Sequence, residues 1–356
     1  MRIGVDAREL SGRVTGVGRY LAGLLREWST NERARTHEFV LYGSEPIAIA
    51  LDARRFPTRL VPGSPGTWWE QVQLPPAAAR DHLDVFFAPA YTAPLRLRVP
   101  TVVTIHDLSY VAHPEWFRLR EGLRRRWLTR GTAARARTII TVSEWSRREI
   151  VDLLGVPDDR VRVIPQGIEV AASHASDSPN VLFVGSIFNR RHVPDLIRAF
   201  GSLAERYPDA SLDLVGDNRS YPREDIERII DVHGLKGRAR WHRYVTDDQL
   251  RDLYARARVF AFLSEYEGLG MTPLEALAAG VPAVLLDTAV ARESCEGAAL
   301  YVPPNDLPAT VRALESALFD DAVRARLLGA ARAALAKYDW PKAASATLAV
   351  LEASAS

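Results

Sequence analysis

The sequence predicts an α/β protein built as two doubly wound domains on parallel sheets, and three observations carry that prediction. The chain has 356 residues, which is long for one ordinary domain and comfortable for two. Short apolar β-rich runs alternate with helical patterns, the grammar of a parallel sheet covered on both faces. That grammar stops at the small polar stretch 171–180 (AASHASDSPN), which reads as linker, and then begins again. A hydrophobic fraction of 47% and a charged fraction of 25% are ordinary for a globular protein and argue against disorder or a fibre.

In chain order, 2–5 is a short apolar run, followed by a loop with Gly12, Gly16 and Gly18 and a helical pattern over 19–28. Runs at 39–42, 85–87, 102–105 and 138–142 are further strands, most of them bounded by Pro, Gly, Asp or His. In the second half, strands are expected at 181–184, 212–215, 241–245, 259–263 and 282–285. Helices are expected at 195–207, 223–233, 247–257 and 273–279. The tail reads as two helical segments separated by Tyr338-Asp339-Trp340-Pro341. Ligands of such sheets sit beyond the carboxyl ends of the strands, so two facing domains are expected to enclose a central cleft.

Several classes are excluded. There is no apolar run of 18 or more residues and the start MRIGVDAREL carries charges, so neither a membrane span nor a secretory signal is expected, and a cytoplasmic protein is. Cys295 is alone, which excludes a disulfide framework and a cysteine metal cluster. The dinucleotide fingerprint GxGxxG, the P-loop and GxSxG are all absent, and no two Asp stand two apart. No nucleic-acid partner is expected.

Charge is uneven. Residues 1–165 hold 25 basic and 18 acidic side chains, and the segment 116–137 alone has eight Arg and one Glu. In that segment Trp116, Leu119, Leu123 and Trp127 recur at helical spacing, with Arg118, Arg120 and Arg124–Arg126 spread over the remaining surface. Packing of the apolar stripe into the core, with a solvated basic face, is the ordinary explanation. A basic amphipathic helix can also lie on an anionic membrane or hold an anionic acceptor.

The most informative stretch is 264–283, SEYEGLGMTPLEALAAGVPA. Glu267 and Glu275 stand eight apart; the first falls on a glycine loop after a strand, and the second is expected in the first turn of a helix that begins at Pro273. Backbone N–H groups at that helix start suit an anion or a hydroxyl cluster, and two fixed carboxylates suit a polyhydroxy ligand. An acidic residue that merely stabilises a helix N-terminus gives the same pattern.

Glu267-Gly268-Leu269-Gly270 through Glu275-Ala276, with Gly280-Val281-Pro282 behind, resembles the E-x7-E signature of the retaining GT-B glycosyltransferases of family 4. GVGRY at 16–20, VVTIHD at 102–107, TVSEWS at 141–146, VIPQGI at 163–168 and VGSIFNRRH at 184–192 fall in that family's order. Trp69-Glu70-Gln71 followed by Leu74-Pro75 is similar to its mannosyltransferase-like branch. The resemblance implies two Rossmann-like domains, the first (1–168) for the acceptor and the second (181–337) for the nucleotide sugar. A linker (169–180) would join them, and a terminal helix (338–356) would cross back.

The resemblance also implies roles. Glu267 would contact donor-sugar hydroxyls, Glu275 the ribose, and Arg190 and Arg191 the diphosphate, with Gly268, Leu269, Gly270, Met271 and Thr272 lining the donor. Gly16 and Gly18 match a loop that approaches phosphates and acceptor, and His106 matches a histidine facing the sugar. Arg19, Tyr91 and Asp107 fall on the acceptor side. Arg191 stands where Lys is usual, His192 where Asn is usual, and Leu269 where Phe is usual. The implied reaction moves a hexose, mannose favoured, from a nucleoside diphosphate to a saccharide or lipid-linked acceptor in cell-surface glycan synthesis. It needs no metal and no cofactor; the donor is GDP-mannose first, with UDP- or dTDP-sugars as alternatives. A nucleotide-sugar epimerase or phosphorylase of the same architecture, and a non-catalytic nucleotide-sugar binder, are the competing readings.

Overall fold

A computed structural model describes residues 1–12, 16–47, 49–64, 66–169 and 178–355. The chain divides into two compact units, Met1–Gly167 with Tyr338–Ser356, and Ile168–Lys337. The first holds a seven-stranded sheet of β1 (Arg2–Asp6), β2 (Glu38–Gly43), β3 (Thr58–Leu60), β4 (Val85–Ala88), β5 (Thr101–Thr104), β6 (Thr138–Thr141) and β7 (Val161–Val163). The second holds a six-stranded sheet of β8 (Asn180–Val184), β9 (Ser211–Val215), β10 (Ala239–His242), β11 (Val259–Phe262), β12 (Ala283–Leu286) and β13 (Ala299–Val302). Their orders are β3-β2-β1-β4-β5-β6-β7 and β10-β9-β8-β11-β12-β13. Every pairing is parallel. Both orders reverse beside the first strand of the unit, the place where doubly wound sheets take ligands.

Helices on both faces explain why the central strands read as continuous apolar runs. β4, β8, β11 and β12 are buried at every position. Three strands escape periodicity: β3 is exposed throughout, and β7 and β13 are partly exposed. The expected linker lies mostly outside the described residues, and its last residue, Asn180, opens β8 instead. The tail forms three helices, not two: Leu307–Phe319, Asp321–Leu335 and Trp340–Ala355. Among the described residues no helix is long and apolar enough to cross a membrane.

The last helix packs in the first unit. Ala343, Ala344, Leu348 and Leu351 share a core with Tyr20, Leu24, Trp28, Phe39 and Phe87, and Trp28 Nε1 donates to the Ala344 carbonyl at 3.0 Å. The Trp340 indole wedges against Gly23 and Gly167, where any Cβ would collide with the ring. Trp340→Ala is therefore expected to cost about 3 kcal/mol, seen as a lower urea midpoint. An unchanged midpoint would show that the wedge carries no stability.

The segment 116–137 corrects the sequence reading. Its helix runs over Leu119–Arg135 and buries Gly122, Leu128, Thr129, Thr132 and Ala133. Leu119, Leu123 and Trp127 are 72%, 52% and 67% exposed, so the apolar stripe does not pack into the core. Small residues let this helix approach the sheet closely, and the large apolar ones, four apart, are turned to the solvent side.

Candidate functional site

In the second unit the chain leaves β11 at Phe262 and passes through Ser264 and Glu267 before entering the helix Met271–Ala278. Glu267 Oε1 accepts from Arg191 Nε at 2.8 Å and from Ser264 Oγ at 2.9 Å, and Arg191 Nη2 pairs with the same oxygen at 2.8 Å. Oε1 is thus pinned three ways, while Oε2 has no partner among the described residues. Arg191 Nη1 donates to the Ser186 carbonyl at 2.9 Å, and its guanidinium lies over the rings of Phe262 at 5.0 Å and Phe188 at 5.4 Å. A guanidinium carries five N–H groups in a planar fork, so donors remain for an anion. Arg190 stacks on Phe188 at 4.2 Å.

Gly185, at φ +149°, follows β8 directly, where a Cβ would strike Arg191 Nη1 at 2.6 Å. The turn therefore gives the guanidinium its place. His192 takes φ +46°, and its ring meets Asp195 at 3.2 Å and Glu265 at 3.4 Å. Positive φ favours Asn, Asp and His among non-glycine residues, which accounts for His where Asn is usual.

The helix carrying Glu275 begins earlier than the sequence suggested. Met271 is its first residue, behind Gly270 at φ +85°, so Pro273 is third and Glu275 fifth, one turn past the N-terminus. Stabilisation of the helix end falls off within the first turn, so it does not explain Glu275. Tyr254 OH donates to Glu275 Oε2 at 3.2 Å and approaches the Thr272 carbonyl at 3.5 Å. Leu269 is buried, while Gly268, Gly270, Met271 and Thr272 are half-exposed around the turn.

In the first unit, His106 follows β5 and is half-buried. Its Nε2 lies 2.9 Å from the Pro89 carbonyl, which can only accept, so Nε2 holds the proton and Nδ1 is the acceptor. Tyr20 and Tyr91 meet the ring edge-on at 5.0 and 5.6 Å. Burial holds the His106 pKa below the usual 6.5, so the ring is neutral at neutral pH. The neutral form stabilises the fold fully above pH 6.5, and that contribution is lost as pH falls through the depressed folded value. Activity is accordingly expected to keep its His106-dependent acid limb below pH 6.5. A limb above 6.5 in the pH–kcat profile would contradict this assignment.

Tyr91 and Asp107 join: Tyr91 OH donates to Asp107 Oδ2 at 2.8 Å, and Ser109 N donates to Oδ1 at 2.9 Å. Burial, then the Asp107 charge, keep the Tyr91 phenol protonated. Gly16 and Gly18 lie in the first turn of the helix Gly16–Thr30 rather than in a loop, with Arg19 exposed beside them. No described atom lies within 4 Å of a Cβ built at Gly16. Gly16→Ala should therefore leave the melting temperature unchanged or slightly raised while lowering turnover. Equal turnover would free that position from any ligand contact.

Sequence reasoning missed Ser264, Tyr254 and Gly185, and a buried ion cluster in the first unit. Arg8 pairs with Asp6 at 3.1 Å and with Glu70 at 3.0 Å, both carboxylates being 2% exposed. Burial pushes the Asp6 carboxyl up to about 6. Among the described residues no group of three or more His, Cys, Asp or Glu is placed to hold a metal ion.

Comparison with known proteins matches a model of glycosyl transferases group 1 to residues 168–334 and a model of Glycosyltransferase Family 4 to residues 14–172. The O-antigen chain mannosyltransferase B of Escherichia coli is 28% identical over 295 residues, 76% of this chain and 75% of that protein. Among solved structures, sucrose-phosphate synthase of Thermosynechococcus elongatus superposes with a TM-score of 0.78 at 18% identity, covering 99% of this chain and 98% of that one. Anabaena HepE, solved with UDP and glucose, gives 0.77 at 19% identity over 99% of both chains.

Proposed function

Since the chain belongs to glycosyltransferase family 4, we propose that it moves a hexose, mannose first, from a nucleoside diphosphate to a saccharide or lipid-linked acceptor with retention of anomeric configuration. Both family models and the O-antigen relative are glycosyltransferases by name, which supports a transferase and lends nothing to the epimerase reading. The observation that carries the proposal is the Arg191–Glu267 pair: one carboxylate oxygen pinned, the other open, beside a guanidinium with N–H groups to spare.

Charge develops on the diphosphate as it departs, and Arg191 and Arg190 are the cations that meet it, in place of a metal ion. Glu267 Oε2 accepts from a hydroxyl of the transferring sugar, and Glu275, held by Tyr254, accepts from the ribose. The bond from C1 to the phosphate oxygen breaks, and the acceptor oxygen bonds C1 on the same face. The acceptor's proton passes to the departing phosphate oxygen, so no side chain forms a covalent intermediate. His106 offers Nδ1 to a sugar hydroxyl. A thermal-shift panel of GDP, UDP, dTDP and ADP, with and without their sugars, tests the donor class, because a ligand bound only by the folded chain raises the melting temperature. A shift for one diphosphate names the base; no shift for any at millimolar concentration removes the donor assignment.

An anionic, membrane-borne acceptor fits the first unit. The exposed stripe Leu119, Leu123 and Trp127 is surrounded by arginines. An opening of about 850 Å³ at the end of the same helix is lined by Arg96, Arg98, Arg135 and Arg137. Apolar side chains flanked by cations suit the interface of an anionic bilayer. Sedimentation with vesicles containing phosphatidylglycerol should exceed that with neutral vesicles at low salt, and Leu123→Ser/Trp127→Ser should abolish the difference. Equal binding to both vesicles rejects the membrane reading.

A further inference from the structure

We infer that Trp69-Glu70-Gln71 is a clamp that positions His106 through the loop 89–95; the inference rests on the proposed part of His106 in the transfer. The three residues open a π-helical turn, Trp69–Gln73, a rare conformation that recurs at functional sites. The turn is anchored from below. Trp69 is fully buried, its Nε1 donates to the Val61 carbonyl at 2.9 Å, and Arg8 ties Glu70 to Asp6 at the end of β1. A buried carboxylate persists as an ion only when paired and fully hydrogen-bonded, so this anchor has one geometry.

From that anchor the turn grips the loop. Thr92 Oγ1 donates to Glu70 Oε1 at 2.6 Å. Gln71 uses both ends of its amide: Nε2 donates to the Ala93 carbonyl at 3.1 Å, and Leu95 N donates to Oε1 at 3.0 Å. On its other side the same loop supplies two of the contacts that orient the imidazole, the third being Tyr20 of the helix Gly16–Thr30. Pro89 provides the carbonyl that fixes the protonated nitrogen, and Tyr91 packs against the ring. Tyr91 itself sits at φ +61°, with its N–H donating to the Thr104 carbonyl at 2.8 Å. A non-glycine residue in that region is held there by its surroundings, and Thr92, its neighbour, is held by Glu70. Glu70 and Gln71 are thus positioning residues: they touch no substrate, and they set the direction in which Nδ1 points.

Thr92→Val tests this while Glu70 stays paired with Arg8, and Gln71→Met is the second variant, chosen to keep its volume. Both are made in the full chain. The expected result is a kcat about tenfold lower at unchanged donor KM, since small misplacements of an oriented group are costly. The ring 15N signals of His106 should move from a single Nε2–H tautomer towards a mixture, and Thr92→Ser should restore both readouts. Unchanged ring signals in both variants overturn the clamp. Moved signals with unchanged kcat leave the clamp standing and overturn the part given to His106 in the transfer.

Discussion

Replacing Arg191 by Ala is expected to lower kcat/KM about 10²–10³-fold, the usual effect of removing one fixed donor from a developing anion. The side chain does three things at once: it stacks on Phe262, donates to the Ser186 carbonyl and pins Glu267. Its loss therefore removes a diphosphate contact and frees the carboxylate. Arg191→Lys keeps the charge but not the fork, and a point charge cannot reach Ser186, Glu267 and a phosphate together. An intermediate loss of about tenfold is expected for it, close to 1.4 kcal/mol in transition-state binding. The comparison is read in steady-state kinetics alongside melting temperatures, because the pair is only 14% and 18% exposed and Arg191→Ala also strips Glu267 of its cation. Wild-type kcat/KM in Arg191→Ala would place the diphosphate elsewhere.

Glu267→Gln is expected to lose about 10²–10³-fold in kcat with a small change in stability. The amide occupies the same space and can still accept from Ser264 and Arg191 through one oxygen. What it loses is the second carboxylate oxygen, which becomes an N–H₂ donor facing the sugar, and the negative charge that balances Arg191. If transfer needed Glu267 only to hold Arg191 in place, Glu267→Gln would retain most of the turnover. That outcome would reassign the residue from the sugar to the support of its neighbour.

Much of the fold was legible because a parallel sheet buried on both faces writes itself as apolar runs. β1, β4, β8 and β11 each fall within a residue or two of the expected limits. What escaped has physical causes. β3 is a three-residue exposed edge strand, with no apolar pattern to read. The basic helix escapes periodicity because its buried face is Leu128 with the small residues Gly122, Thr129, Thr132 and Ala133, while spacing alone draws the eye to Leu119, Leu123 and Trp127, which face outward. Gly16 and Gly18 look like loop formers, yet the helix starts on the first of them.

The candidate site divides in the same way. Glu267, Glu275, Arg190 and Arg191 stand out as charges beside glycine turns. Ser264 and Tyr254 do not, since a hydroxyl that fixes a carboxylate looks like any other hydroxyl until the chain folds. Ser264 lies three residues before Glu267, a spacing that a turn closes, and that was the one available signal. The pairing of Arg191 with Glu267 across 76 positions is a tertiary fact, created when β8 and β11 become neighbours.

Calorimetric titration of the free nucleoside diphosphate and of its sugar into the wild-type chain and Glu267→Gln tests the central claim most directly. The account assigns the diphosphate to the arginines and the sugar to Glu267. It predicts that Glu267→Gln binds the bare diphosphate within about twofold of the wild type and loses the extra affinity that the sugar adds, on the order of 1.5–3 kcal/mol for a hydrogen bond to a charged group. Equal loss of affinity for the bare diphosphate and for the nucleotide sugar would contradict it, because Glu267 would then act on the phosphates and not on the hexose.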